Sequence, residues 1–238
     1  MFTDADVVLG PGVLDRVAAE VLVDPTALMS VQPWHTPGSW PEQLSMLPNL
    51  LALMGSAAFT PLGPRRGAQV AFGPVLACTR EAYDRAGGHA HPDVRGTILE
   101  DIALARRFPA TRLHVGGRDE VTFRMYRTPR AMFDGWTKGI AIGLHATPWW
   151  ARAMSVAWVA SLAGGWLTSP WFALASLVQL AVLTRRAGRF SALAIVTYPI
   201  GVLFLAVVVL RSAARRWGGR RGTVTWKGRD LRPDQPVG

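Results

Sequence analysis

Two aspartates stand two apart near the start of the chain, in Phe2-Thr3-Asp4-Ala5-Asp6-Val7. In extended backbone such residues point the same way, and at a strand's end their carboxylates can converge on one hard cation. A second acidic pair, Glu100-Asp101, comes after Gly87-Gly88-His89 and opens an expected helix. There the positive end of the helix dipole keeps a carboxylate ionised and available as a base. Further polar clusters are Arg124-Met125-Tyr126, Gly135-Trp136-Thr137-Lys138 and Trp226-Lys227-Gly228-Arg229. Each has a plainer reading when taken alone. Acidic pairs are common in loops, helix N-termini often carry Glu or Asp, and a histidine after two glycines is as often a simple turn residue.

Half of the 238 residues are apolar and 18% are charged, which excludes a disordered or fibrous chain. The single cysteine, Cys78, excludes a disulfide framework and any multi-cysteine metal site, and fits a reduced compartment. Over residues 1–144 the pattern changes every ten to fifteen residues, as in an α/β domain. Pro11 can open a helix whose one face carries Val13, Leu14, Val17, Ala18, Val21 and Leu22. Val70 to Cys78 reads as a strand, and Arg80 to Ala86 as a short helix closed by Gly87 and Gly88. Leu99 to Phe108 has helical spacing, Leu113 to Val115 and Val121 to Met125 read as strands, and Thr128-Pro129 starts another helix. Gln43 to Pro64 carries no charge, and it reads equally as an amphipathic element lying at a membrane surface or as a core helix.

The net charge of +10 lies wholly in the C-terminal part. Residues 1–144 hold 14 basic against 14 acidic side chains, and residues 145–238 hold 12 against 2. That part also holds two uncharged runs, Ala153 to Thr184 and Phe190 to Leu210, bordered by arginines and tryptophans. A helix of 21 residues is roughly 31 Å long, about the thickness of a bilayer's hydrocarbon core. The expectation is therefore a membrane region over 145–212 with two to three helical segments, and a basic tail over 213–238. Arginines that border apolar spans do not form a face with stacking aromatics, so nucleic-acid binding is not expected. Met1 to Gly12 lacks the basic start and apolar core of a signal peptide.

The ordered set of motifs is similar to the membrane-associated family 2 glycosyltransferases, in particular to the carotenoid- and hopanoid-associated branch. The set runs F-T-D-A-D, G-P-V-L-A-C-T-R-E-A-Y-D-R-A-G-G-H, L-E-D-I-A-L-A-R-R-F, F-R-M-Y, G-W-T-K-G and W-K-G-R, and it covers residues 2 to about 229. The resemblance implies an α/β fold: a partial GT-A (Rossmann-like) catalytic domain over 1–144, followed by C-terminal transmembrane helices. It implies inverting transfer of a sugar from a nucleotide-sugar donor to a lipid or other membrane-embedded acceptor. Asp6, with Asp4, would hold Mg²⁺ or Mn²⁺ on the donor diphosphate, and Asp4 would also touch the donor. Asp101 would be the general base. Arg124 and Lys138 would neutralise the departing diphosphate, and His89, Glu100 and Trp136 would line the acceptor side. The implied location is the cell membrane, multi-pass, with the catalytic part on the cytoplasmic side.

In that family about a hundred residues precede the D-x-D, carrying the first strands and the seat of the nucleotide base. The expectation is thus a chain that lacks this part and has little or no transferase activity alone. A non-catalytic membrane scaffold retaining half of the fold is the alternative.

Overall fold

The computed structural model describes residues 1–56, 70–95, 97, 100–217, 224–226 and 229–231. The chain begins with strands β1 (Phe2–Thr3) and β2 (Val7–Leu9), followed by helix α1 (Val13–Val23), β3 (Leu28–Gln32) and β4 (Trp34–His35). A 3-10 turn over Pro41–Ser45 leads into α2 (Met46–Gly55). Next come β5 (Val75–Ala77), α3 (Arg80–Ala86), a 3-10 turn over Gly88–Ala90, α4 (Glu100–Ala105), β6 (Thr111–Val115) and β7 (Val121–Phe123). The helices α5 (Pro129–Ala146), α6 (Trp149–Thr168), α7 (Pro170–Ala187), α8 (Ala192–Val196) and α9 (Tyr198–Trp217) follow, then the hairpin β8 (Val224–Trp226) and β9 (Arg229–Leu231).

The main sheet has the order β1-β5-β3-β6, with β3 parallel to β6 and antiparallel to β5, and β1 antiparallel to β5. Alternation along its strands divides the side chains between two cores. Met29, Val31, Val75 and Ala77 pack with Val13 and Val17 of α1 on one face. Leu28 and Leu76 pack with Ala82, Ala86, Leu104 and Ala105 of α3 and α4 on the other. The sheet is thus covered on both sides, and β3 at its centre is buried along its whole length. A second sheet, β2-β7-β4, pairs β7 antiparallel to β2 and parallel to β4.

The remaining apolar groups form a helical cluster around α2, where Leu47, Leu50 and Leu53 meet Met132 and Trp136 of α5, Leu162 of α6, Leu180 of α7 and Leu205 of α9. Of the two readings of Gln43 to Pro64, the described part is the core helix; residues 57–64 lie outside the described residues. Asn49, fully buried on α2, makes that burial tolerable. Its Oδ1 accepts from Gln32 Nε2 at 3.1 Å, and its Nδ2 donates to the Ala187 carbonyl at 3.2 Å. The end of α7 is tied to the second sheet by the same means. Trp34 Nε1 donates to the Arg185 carbonyl, and Arg189 N donates to the His35 carbonyl at 2.7 Å.

The C-terminal transmembrane helices expected from the sequence are not found: among the described residues, no helix is long and apolar enough to cross a membrane. The multi-pass location, with the catalytic part on the cytoplasmic side, falls with them. The physical reason lies in how the uncharged runs fold. Ser169 and Pro170 divide the first run between α6 and α7, with Ser169 Oγ capping the second at Trp171 N. The second run breaks at Thr197 into the five-residue α8 and the start of α9. Part of each long helix is spent on packing, since Leu162, Leu180, Leu205 and Val208 are buried in the cluster. The arginines at 215, 216, 220 and 221 and most of the expected basic tail lie outside the residues whose side chains are described. The expected boundary at Leu144 falls inside α5.

Beside the second sheet, Glu42 is almost wholly buried and ties the loop after β4 to the end of β7. It accepts from Gly38 N at 2.7 Å, Ser39 Oγ at 2.8 Å, and Arg124 Nε and Nη2 at 2.9 and 2.6 Å. The bidentate Arg124 contact is the main reason that its carboxyl is held down at about 2. A carboxylate with a depressed pKa adds stability above its unfolded value of about 4.5, and that contribution disappears as pH falls towards 2. Glu42→Gln should therefore lower the thermal midpoint at neutral pH, with the gap to wild type closing between about pH 4.5 and 2; a pH-independent gap would contradict this. Asn49→Leu, which strands the Gln32 amide and the Ala187 carbonyl, should cost about 1–3 kcal/mol in urea unfolding.

Candidate active site

The site is assembled around a three-residue segment, Phe72-Gly73-Pro74, laid over the central strand. Ser30 of β3, fully buried, fixes it: its Oγ donates to the Phe72 carbonyl at 3.0 Å and accepts from Phe72 N at 2.6 Å. From that segment contacts run to both acidic motifs. Pro74 O accepts from Asp4 N at 3.0 Å. A Cβ on Gly73 would stand 3.2 Å from Asp101 Oδ2, so the absent side chain is what lets the carboxylate lie against the backbone here.

Asp4 and Asp6 lie in the turn between β1 and β2, closed by Val7 N donating to Asp4 O at 3.2 Å, and both are exposed. Asp101 is in the first turn of α4, and its Oδ1 accepts from Ile102 N at 2.9 Å. Burial pushes its carboxyl up to about 6, the Glu100 charge adds to the rise, and the backbone amides of Ile102 and Gly73 act against it. Burial and dipole thus compete at this position, and burial wins. A carboxyl poised there changes protonation near neutral pH, which is what a general base requires.

Two more groups lie within the field of these acids. Lys138 of α5 is half-buried; burial pushes its ammonium down, while the charges of Glu100 and Asp101 act to raise it, which puts it on the same side as the acidic pair. Tyr126 has its phenol pushed up to about 12, chiefly by burial and then by the charge of Asp6. Its ring lies against Gly135 and meets the Trp136 indole edge-on, with centroids 5.8 Å apart.

The expected site residues thus divide. Asp4 and Asp101 meet the Gly73-Pro74 segment, Lys138 lies in the field of Glu100 and Asp101, and the charge of Asp6 reaches the Tyr126 phenol. Trp136 does not line an opening: it is buried in the helical cluster, with Nε1 donating to Ser45 Oγ at 2.9 Å, and its contact with the site runs through Tyr126. Arg124 is already compensated by Glu42. His89 is held by Tyr83, with Tyr83 Oη 2.8 Å from His89 Nδ1. Ser30 was not singled out from the sequence, and Gly73 and Tyr126 stood there only within longer motifs, with no role given to them. Gly73 and Pro74 fell inside the expected strand Val70 to Cys78, but the observed β5 is shorter and begins at Val75, and Ser30 is a serine within an apolar stretch. Leu99 and part of Trp226-Lys227-Gly228-Arg229 lie outside the described residues.

Among the described residues, no group of three or more His, Cys, Asp or Glu side chains could enclose a metal ion. Asp4 and Asp6, exposed in one turn, are the carboxylates that could contribute to holding Mg²⁺ or Mn²⁺, whose remaining ligands would be substrate phosphate oxygens and water.

No known family profile and no solved structure matches the chain. It is 31% identical to the 4,4'-diaponeurosporenoate glycosyltransferase of Staphylococcus aureus, over 96% of this chain and 65% of that protein. To the 4,4'-diaponeurosporenoate glycosyltransferase of Staphylococcus haemolyticus it is 33% identical, over 62% of this chain and 40% of that protein. The chain therefore spans just under two thirds of the length of the first of these relatives. Over nearly its whole length it is homologous to curated carotenoid-associated glycosyltransferases.

Proposed function

We propose that the chain takes part in inverting, metal-dependent sugar transfer from a nucleotide-sugar donor to a carotenoid or other lipid acceptor. The observation that carries this reading is the convergence of Asp4 and Asp101 on the Gly73-Pro74 segment, in a chain homologous to glycosyltransferases. Asp6 and Asp4 would hold Mg²⁺ or Mn²⁺, which when bound would supply positive charge for the diphosphate leaving group. Asp101 faces the acceptor and takes the proton of its hydroxyl. The acceptor oxygen attacks the anomeric carbon as the bond from that carbon to the diphosphate oxygen breaks. Lys138 offers the departing charge a cation. The exposed apolar groups of the helical cluster, among them Trp149, Leu167, Trp171, Leu203 and Leu210, support an acceptor with a long apolar body.

The relatives' name specifies an acceptor, 4,4'-diaponeurosporenoate, that is the anion of a carboxylic acid. A carboxylate needs no deprotonation near neutral pH, whereas an alcohol does. The two acceptor chemistries therefore make different demands on Asp101.

With an alcohol acceptor, transfer should rise as pH passes through about 6 and be abolished in Asp101→Asn; with a carboxylic acid acceptor that rise should be absent. Transfer to an alcohol that is unchanged in Asp101→Asn would remove this residue from the role of base. Stability gives a test that needs no turnover. A carboxyl raised from 3.8 to about 6 in the folded chain favours the fold below about pH 4, and that advantage disappears as pH rises through 6. Asp101→Asn should accordingly gain on wild type in unfolding midpoint between pH 4 and 7. Asp6→Ala should abolish the Mn²⁺ dependence of nucleoside diphosphate binding in calorimetric titration, and a retained dependence would reject the metal assignment.

A further inference from the structure

The Gly87-Gly88-His89 turn is built around one tyrosine. Helix α3 is capped at its start by Thr79 Oγ1, which accepts from Ala82 N, and ends on Gly87 with φ 79°. Gly88 follows at φ 56°, a second left-handed residue that folds the chain back over the helix. A Cβ on Gly88 would lie 2.5 Å from the Tyr83 ring, so the side chain that glycine lacks is also what lets the ring reach the turn. As a result the backbone N–H of His89 donates to Tyr83 Oη at 2.9 Å, and the same oxygen lies 2.8 Å from His89 Nδ1.

Proton accounting at this oxygen selects one histidine tautomer. If Nδ1 carried the proton, Oη would accept twice and its own O–H would be left without an acceptor, in a half-buried position closed by Gly88. If Oη donates to Nδ1, the hydroxyl, the backbone amide and the ring nitrogen are all satisfied. The neutral imidazole then carries its proton on Nε2. Phe2 braces the ring from the other side, edge-on to His89 at 4.9 Å and tilted against Tyr83 at 5.2 Å. Phe2 is two residues before Asp4 on β1, and the His89 turn packs against α4, which carries Asp101. His89 therefore neighbours both the strand that leads to Asp4 and the helix that carries Asp101. Among the described residues, no side chain accepts from its Nε2.

We propose that Tyr83 is a positioning residue that locks His89 as an Nε2–H donor, and that this donor takes an oxygen of the acceptor. The tautomer lock stands on geometry alone, while the acceptor contact rests on the sugar-transfer reading. In this arrangement His89 does not serve as a base, because the only unprotonated ring nitrogen is occupied by the tyrosine. It orients the acceptor oxygen by a hydrogen bond and leaves proton removal to Asp101.

The test is nitrogen-15 NMR of the histidine-labelled chain at a pH where His89 is neutral. Wild type should show Nε2 protonated and Nδ1 bare, and Tyr83→Phe, which keeps the ring and removes the hydroxyl, should show a mixture of tautomers. A wild-type Nδ1–H form, or populations unchanged by Tyr83→Phe, would overturn the lock whatever the chain's activity. For the contact, binding of a polyene carboxylate or alcohol is compared in two variants. His89→Gln keeps a donor near the Nε2 position and should bind close to wild type; His89→Asn, too short to reach it, should bind roughly tenfold more weakly. Nucleoside diphosphate binding should be the same in both. Equal acceptor binding by the Gln and Asn variants would reject the contact, and a wild-type chain that binds neither acceptor would reject it together with the sugar-transfer reading.

Discussion

The geometry of the site depends on one buried hydroxyl. Ser30 sits in the middle of β3, where neighbouring side chains are apolar and the strand is paired on both sides, and it exchanges two hydrogen bonds with the backbone of Phe72. Those bonds dock a non-regular segment onto the best-buried strand of the molecule. Two of the acids are then placed relative to that segment, Asp4 through the Pro74 carbonyl and Asp101 through the bare Cα of Gly73. Two aspartates almost a hundred positions apart in sequence are thus referred to the same few backbone atoms. Residues that must hold sub-ångström relationships are better referenced to a rigid strand than to each other.

The same arrangement divides the carboxylates by solvation. Asp4 and Asp6 lie exposed in one turn. Asp101 is drawn into the protein and its proton affinity rises to match neutral pH. Unequal environments for like groups are how one fold separates a charge holder from a base. The cations are divided in a similar way. Arg124 spends its fork on the buried Glu42 and so fastens a loop, whereas Lys138 lies within the field of Glu100 and Asp101. Of the two cations, the lysine is the one oriented by the acids of the site.

Local signals were legible where the chain punctuates itself. Helix α3 runs from Arg80 to Ala86 and ends on Gly87 as its composition requires; α5 starts at Pro129 with Thr128 Oγ1 accepting from Ala131 N; β6 and β7 fall within two residues of their expected places. The face of α1 was half right, since Val13 and Val17 are buried while Leu14 and Leu22 point to solvent, and the helix begins at Val13 rather than at Pro11. The central strand β3 was not visible at all. Leu-Met-Ser-Val-Gln carries two polar residues that look like loop chemistry, and only tertiary partners, Phe72 for Ser30 and Asn49 for Gln32, turn them into strand interior. Within the site, the acidic pairs could be read from type and spacing, but the backbone that unites them could not. The information there lies in a missing side chain at Gly73 and in a hydrogen bond over 42 positions.

The helical region shows why a count of uncharged residues is a poor measure of a bilayer span. An apolar run records only that no charge interrupts it; it does not record which side of the helix each apolar group occupies. In α6, α7 and α9 part of the apolar surface meets α2 and α5, with Tyr198 Oη donating to the Leu162 carbonyl and Trp158 Nε1 to Gln179 Oε1 inside the bundle. Those polar contacts help fix how the helices rotate against each other. The same rotation places Asn49 under Ala187 and Trp34 under Arg185, so the bundle and the two sheets share hydrogen bonds. Gln32 and Asn49 thus join the bundle to β3, the strand whose Ser30 docks the Phe72 segment.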